Sequence, residues 1–388
     1  MDFSLSEEQQ AIREAIARIC AQFSDDYWLE KDRAAEFPHE LHQALARDGW
    51  LGIAMPEEYG GAGLGITEAA VMLQTISESG AGFSGASAVH MNIFGLNPVV
   101  VFGTEEQKQR FLPPLIAGKE KACFAVTEPD AGLETGRIKT KAVREGNRYA
   151  VHGQKIWTST AQVADRVLLL ARTTPREEVV KPTGGLSLFY TTLDRAHVEA
   201  RVIDKMGRKA VDSNQLFFDG LPVPLEDRIG EEGRGFEYIL HGMNPERILV
   251  AAEAVGVGRA ALARAARYAK ERVVFGRPIG KNQAIQHPLA KSWMALEAAN
   301  LMMLKAARLY DAGQPCGIEA NAAKYLGAEA GFEACETAVL THGGMGYAKE
   351  FHVERLLREI MIARIAPVSR ELILCNIAER ALGLPKSY

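Results

Sequence analysis

The sequence predicts an α+β multidomain protein: an N-terminal helical domain over 1–122, a middle β domain over 123–232 and a C-terminal helical bundle over 233–388. Apolar residues recur at helical spacing in the first and last stretches. In the middle they condense into short runs broken by turn residues. The 388 residues also exceed what one ordinary core organises, so two or three packed units are expected.

In the first stretch, Ser6-Glu7-Glu8-Gln9 has the form of a helix cap, and Ile12, Ile16 and Ile19 follow at helical spacing. Met55 to Gly65 is Gly-rich and polar, a loop. Glu105 to Ile116 returns to helix and stops near Gly118. From about residue 123 the period changes. Arg148 to Trp157, Val167 to Leu170, Leu186 to Tyr190 and Gln215 to Phe218 read as strands. Glu145-Gly146-Asn147, Thr183-Gly184-Gly185 and Asp219-Gly220 separate them, with no helical segment between, so an antiparallel sheet or small barrel is expected. Beyond residue 233 the chain is rich in Ala, Leu, Met, Glu and Arg. Small pairs such as Ala260-Ala261 and Ala322-Ala323 suit close helix packing in a bundle.

Composition removes several functions. The net charge of −4 offers no basic face for nucleic acid. No uninterrupted apolar run reaches the roughly 18 residues of a membrane span. Cys20, Cys123, Cys316, Cys335 and Cys375 show no CxxC pair and no metal-ligand spacing, so buried free thiols and no metal are expected. Met1-Asp2-Phe3-Ser4 runs directly into an acidic helix pattern with no targeting character, and a cytoplasmic protein is expected.

Four segments then fall in a telling order: Phe124-Ala125-Val126-Thr127-Glu128-Pro129, Gly153-Gln154-Lys155-Ile156-Trp157, Arg272-Val273-Val274-Phe275-Gly276 with Gln283, and His342-Gly343-Gly344-Met345-Gly346-Tyr347. In order and spacing they resemble acyl-CoA dehydrogenases over nearly the whole chain. The resemblance implies a C-terminal four-helix bundle, non-covalent FAD and a homotetramer with flavin sites at subunit contacts. It also implies an acyl-CoA substrate from fatty-acid or branched-chain metabolism, and an electron-transfer flavoprotein as electron acceptor. By the same match, the strand Phe124 to Thr127, with Val126 in it, lies along the flavin, while Trp157 and Ser159 cover its other side. Gly132 belongs to the small-residue element that follows. Arg272, Phe275 and Gln283 reach the FAD of a neighbouring subunit, the guanidinium being suited to pyrophosphate. Gly343 and Gly344 let the backbone approach the cofactor. Read alone, Trp157 is a half-buried strand aromatic, Arg272 a solvated helix residue and Gly343-Gly344 a helix-ending turn.

The chain departs from the family at three places: Leu133 stands where a Ser is usual, Leu340 where many members have Gln, and Pro367 where many have the catalytic Glu. Proline supplies neither a base nor an amide N–H. Ser369 and Glu371 continue that segment and are expected at the cofactor. The reaction needs a carboxylate over the substrate α carbon. Asn244-Pro245-Glu246-Arg247-Ile248 resembles the segment from which isovaleryl- and long-chain-type members present theirs. Glu246 is therefore the expected base, and Arg247 is expected either to contact the substrate or to hold the helix, although Glu246 also suits the first turn of a helix capped by Asn244. The expected function is α,β-desaturation of an acyl-CoA with FAD accepting the hydride. Alternatives are an enoyl-CoA-type reductase, a weaker case for an oxidase, or a flavin- and acyl-CoA-binding protein of low turnover.

Overall fold

The computed structural model describes residues 4–387. Met1, Asp2 and Phe3, part of the basis for expecting a cytoplasmic protein, lie outside them. Seven helices come first: α1 (Glu7–Cys20), α2 (Asp25–Ala34), α3 (His39–Arg47), α4 (Ile66–Ile76), α5 (Gly82–Phe94), α6 (Asn97–Phe102) and α7 (Glu105–Ile116). Ser6 caps α1 reciprocally with Gln9, as its sequence suggests, and Gly118 follows α7 with φ +67°. Helix α4 begins at Gly65, which has no side chain to cap it. Asp311 substitutes from the C-terminal region, accepting from the amides of Ile66 (2.8 Å) and Thr67 (2.9 Å).

The middle region holds β1 (Ala122–Ala125), β2 (Lys141–Glu145), β3 (Arg148–Ser159), β4 (Arg166–Arg172), β5 (Leu186–Thr192), β6 (Val198–Val202), β7 (Ser213–Pro224) and β8 (Arg228–Ile229). They form one sheet in the order β6-β7-β3-β2-β4-β5-β8, with β1 also on β4. Most pairings are antiparallel, but β1 runs parallel to β4. Strand β4 is covered on both faces. Leu168 and Leu170 join a core shared with the N-terminal helices, while Val167, Leu169 and Ala171 join the sheet's second core. That is why its sequence is a continuous apolar run rather than an alternating one.

The last region holds α8 (Gly235–His241), α9 (Met243–Glu271), a hairpin of β9 (Val273–Val274) and β10 (Arg277–Pro278), then α10 (Gln283–Asp311), α11 (Gly317–His342), α12 (Val353–Ile365) and α13 (Arg370–Leu382). Ala and Gly line the α9–α11 contact: an added Cβ on Gly327 or Gly331 would meet the α9 backbone at Ala251 or Ala254. The helical stretch 66–102 contains a window long and apolar enough to cross a membrane, which the sequence reading did not anticipate. Its chain is interrupted at Ser77–Ala81 and 65% of that window is buried in the protein, the pattern of a core helix. All five cysteines are free, with Cys375 half-buried and the others buried. Among the described residues no cluster of His, Cys, Asp or Glu has the form of a metal site.

Candidate functional site

The middle region projects its motif residues through one buried ion pair and one bulge. Lys155 on β3 is fully buried, and its ammonium donates to Glu128 Oε1 and to the Val126 carbonyl, each at 2.9 Å. Burial pulls the Lys155 pKa down to about 8 despite the opposing pull of Glu128. Glu128 also accepts from the amides of Lys139 and Thr140, so the 126–128 segment is fastened beside β3. Strand β1 ends at Ala125, two residues short of the expected Phe124–Thr127 strand. Beyond it the chain bonds to β3 instead, Ile156 N–H donating to the Thr127 carbonyl at 2.9 Å. Phe124 and Val126 pack against the large shared core. Gly132 lies in an exposed turn with open space around it.

Between Lys155 and Thr158 the register of β3 on β7 shifts. Trp157 sits in this bulge at φ +62° and is turned out of the sheet, 57% exposed. Next to it the Thr158 hydroxyl is buried without a hydrogen-bond partner. Ser159 accepts at 2.8 Å from Arg208, whose other terminal nitrogen reaches Ser87 on α5 at 3.2 Å.

At the far end of α9, Arg272 is exposed and closes the helix. Phe275 forms the hairpin tip at φ +49° with its whole side chain in the open. Gln283 is exposed at the start of α10. Gly343 follows α11 at φ +60°, and neither it nor Gly344 has anything near where a Cβ would stand. Leu340, one turn back, is 73% exposed. The helix-ending reading of the glycines is thus correct in form and leaves an open backbone surface beside it.

Glu246 lies in the first turn of α9 but does not cap it. The helix starts at Met243, and Asn244 is inside it, its side chain accepting from Arg247 at 2.6 Å. The Glu246 side chain is buried instead. Its Oε1 is 3.9 Å from His90 Nε2 on α5, and its Oε2 has no hydrogen-bond partner. His90 Nδ1 lies 2.5 Å from Glu253 Oε1, two turns further along α9. Burial alone would lower the His90 pKa, but Glu253 and Glu246 outweigh it and push it up to about 10, so the ring is a cation.

Arg247 holds the helix, one of its two expected roles. Its three nitrogens donate to the Met243 carbonyl (2.9 Å), Asn321 (2.7 Å) and Asn244, so its first task is bracing the start of α9. It still lines a cavity of ≈ 530 Å³ with Asn321, Val368, Leu372 and Arg380. Pro367 lies between α12 and α13. The next carbonyl, Val368, accepts from buried Lys324 at 2.7 Å. The Ser369 hydroxyl caps α13, accepting from the Leu372 amide at 3.3 Å. Glu371 is exposed and paired with Arg370 at 3.2 Å.

The chain matches the family models for the acyl-CoA dehydrogenase N-terminal domain over residues 6–119, the middle domain over 123–221 and the C-terminal domain over 233–382. It belongs to the acyl-CoA dehydrogenase family. Acyl-CoA dehydrogenase FadE12 of Mycobacterium tuberculosis is 39% identical, the match covering 100% of this chain and 99% of that protein. The caffeyl-CoA reductase-Etf complex subunit CarC of Acetobacterium woodii is 34% identical over 93% of this chain and 94% of its own. The solved butyryl-CoA dehydrogenase of Megasphaera elsdenii superposes with a TM-score of 0.93 at 30% identity, covering 99% of this chain and 100% of that one.

FAD is the cofactor of this family, and the residues here fit it. Trp157, turned out of its sheet beside the orphaned Thr158 hydroxyl, offers a face on which a large planar group would fit. The open glycines at 343–344, exposed Leu340 and the bare Phe275 tip offer further surface to a bound group or a second subunit. Sequence reading did not find His90, Glu253 or Arg208. Their roles arise from contacts between distant segments, and no local motif marks them.

Proposed function

We propose that this enzyme desaturates an acyl-CoA thioester at the α,β position with Glu246 as the base. The supporting observation is the Glu246 carboxylate, buried at the start of α9 with Oε2 free of hydrogen bonds. FAD, when bound, would supply the acceptor for the β hydrogen and its electron pair. Glu246 Oε2 takes the α proton, and the electrons left on the α carbon form the new double bond. Arg247 holds the first turn of α9, and with it the carboxylate, while Lys324 fixes the turn through Val368. Trp157 and Ser159 would hold the flavin, and Arg272, Phe275 and Gln283 would reach a neighbouring subunit's cofactor in a homotetramer. An electron-transfer flavoprotein takes the electrons away, and the protein acts in the cytoplasm.

Similarity to a caffeyl-CoA reductase subunit favours a second reading, in which the same residues run the reaction towards the saturated thioester. Then Glu246 gives the α proton back. One experiment addresses both. Holoenzyme is mixed anaerobically with saturated acyl-CoAs of graded length and branching, and dithionite-reduced holoenzyme with the matching enoyl-CoAs. Bleaching by a saturated thioester supports desaturation. Recovery of colour by enoyl-CoA alone supports the reductase. Thioesters that bind without either change would overturn both and leave a low-turnover binding protein.

A further inference from the structure

Glu246 and Glu253 stand seven residues apart on α9, which places them two turns apart on one face. His90, from α5, sits between them, its Nδ1 2.5 Å from Glu253 and its Nε2 3.9 Å from Glu246. The first contact is a charge-assisted hydrogen bond; the second is an ion pair too long to be a hydrogen bond. All three side chains are nearly or fully buried.

We infer that His90, anchored by Glu253, is a positioning residue that turns Glu246 Oε1 towards itself and compensates the carboxylate's charge, leaving Oε2 as the proton-accepting oxygen. The inference rests on the reading of Glu246 as base. Its logic is electrostatic. A carboxylate enclosed by protein needs a nearby cation to remain a carboxylate. A cation bonded directly to both oxygens would blunt it as a base. A ring fixed by a second glutamate and held at 3.9 Å supplies the field without occupying either oxygen. The proton is therefore accepted where no hydrogen bond must break.

Other charges face this group. Arg208, from the middle region, is half-buried, feels the charges of Glu246 and Glu253, and is tied to Ser87, one turn from His90 on α5. Lys205 and Asp212 lie beside Arg208. From α12, Glu359 accepts from Ser84 on α5 and pairs with Arg355. From α11, Lys324 feels the Glu246 charge, and Arg247 adjoins it on α9. His90 is the cation paired directly with Glu246, so removing the ring's charge changes the field at Glu246 in a definite sense.

The test is an infrared pH titration of the holoenzyme without substrate. It follows the protonated-carboxyl band that disappears in Glu246→Gln. In His90→Gln the cation is gone, and the midpoint of that band rises by on the order of one pH unit. In Glu253→Gln the ring loses the carboxylate that does most to keep it protonated, so the midpoint also rises, by less than in His90→Gln. Restoring a cation in His90→Lys brings the midpoint back down, which a purely structural disturbance would not do. A midpoint unchanged in His90→Gln, or not lowered again in His90→Lys, overturns the inference. Should His90→Gln not fold, the rise in Glu253→Gln alone decides. Because the band is read without turnover, failure here is distinct from failure of Glu246 as base, which shows only in bleaching.

Discussion

His90 is a cation built into the interior, and that leaves a signature in stability. Its ordinary pKa of 6.5 is raised in the fold to about 10 by the two glutamates acting against burial. The folded state therefore holds a proton the unfolded chain releases. The stabilisation from this group is complete below about pH 6.5 and is lost as pH rises towards 10. The difference in unfolding free energy between wild type and His90→Gln should accordingly shrink from pH 6.5 to 10, measured by urea unfolding at each pH. A constant difference across that window would contradict the assignment. At this scale the sequence was informative wherever a local motif carried the residue. Glu246 stood out as a candidate base because Asn244-Pro245-Glu246-Arg247 is contiguous. His90 did not, because its anchor lies 163 positions along the chain, and a lone His on an apolar helix face carries no sign of it. Ser369 carries a second local signal. A Ser preceding a helical pattern is a capping residue first, and its hydroxyl caps α13.

Among the elements, the β9–β10 hairpin is the one whose form makes least sense in a single chain. Phe275 occupies a tight turn at φ +49° followed by Gly276 at φ +74°, and presents an aromatic ring entirely to the outside. Such a tip stabilises nothing within its own chain. Phe275→Ala should leave the folding free energy of the chain within about 0.5 kcal/mol of wild type. It should weaken assembly and FAD retention by about 2 kcal/mol, as loss of a buried interface aromatic does. Light scattering with flavin absorbance reads both; unchanged mass and full flavin would contradict an intersubunit role. The strands illustrate what local pattern conveys. Arg148 to Trp157, Val167 to Leu170 and Leu186 to Tyr190 were readable as β3, β4 and β5. The parallel pairing of β1 with β4 was not, since β1 is four residues long and its partner lies beyond two intervening strands. The bulge that turns Trp157 outward depends on a register shift against β7, which only the paired sheet defines.

Across the whole molecule, the candidate site exists only where the three regions meet. Ser159 and Arg208 come from the middle region, Ser87 and His90 from the N-terminal helices, and Glu246 and Glu253 from the bundle. Asp311 capping α4 and Arg358 pairing with Asp32 at 2.7 Å tie the N-terminal helices to the bundle and so hold His90 against α9. The order of helical, strand and helical regions was evident from periodicity, and the family from four spaced motifs. The way the regions close on one carboxylate was not, because it depends on contacts across that whole length. The role of that carboxylate as base is tested most directly by rapid anaerobic mixing of Glu246→Gln holoenzyme with an acyl-CoA that bleaches the wild type. The substitution keeps the side chain's shape and removes the base. FAD content should equal wild type while the bleaching rate falls by at least about 10²-fold. Bleaching at the wild-type rate would show that another group takes the α proton.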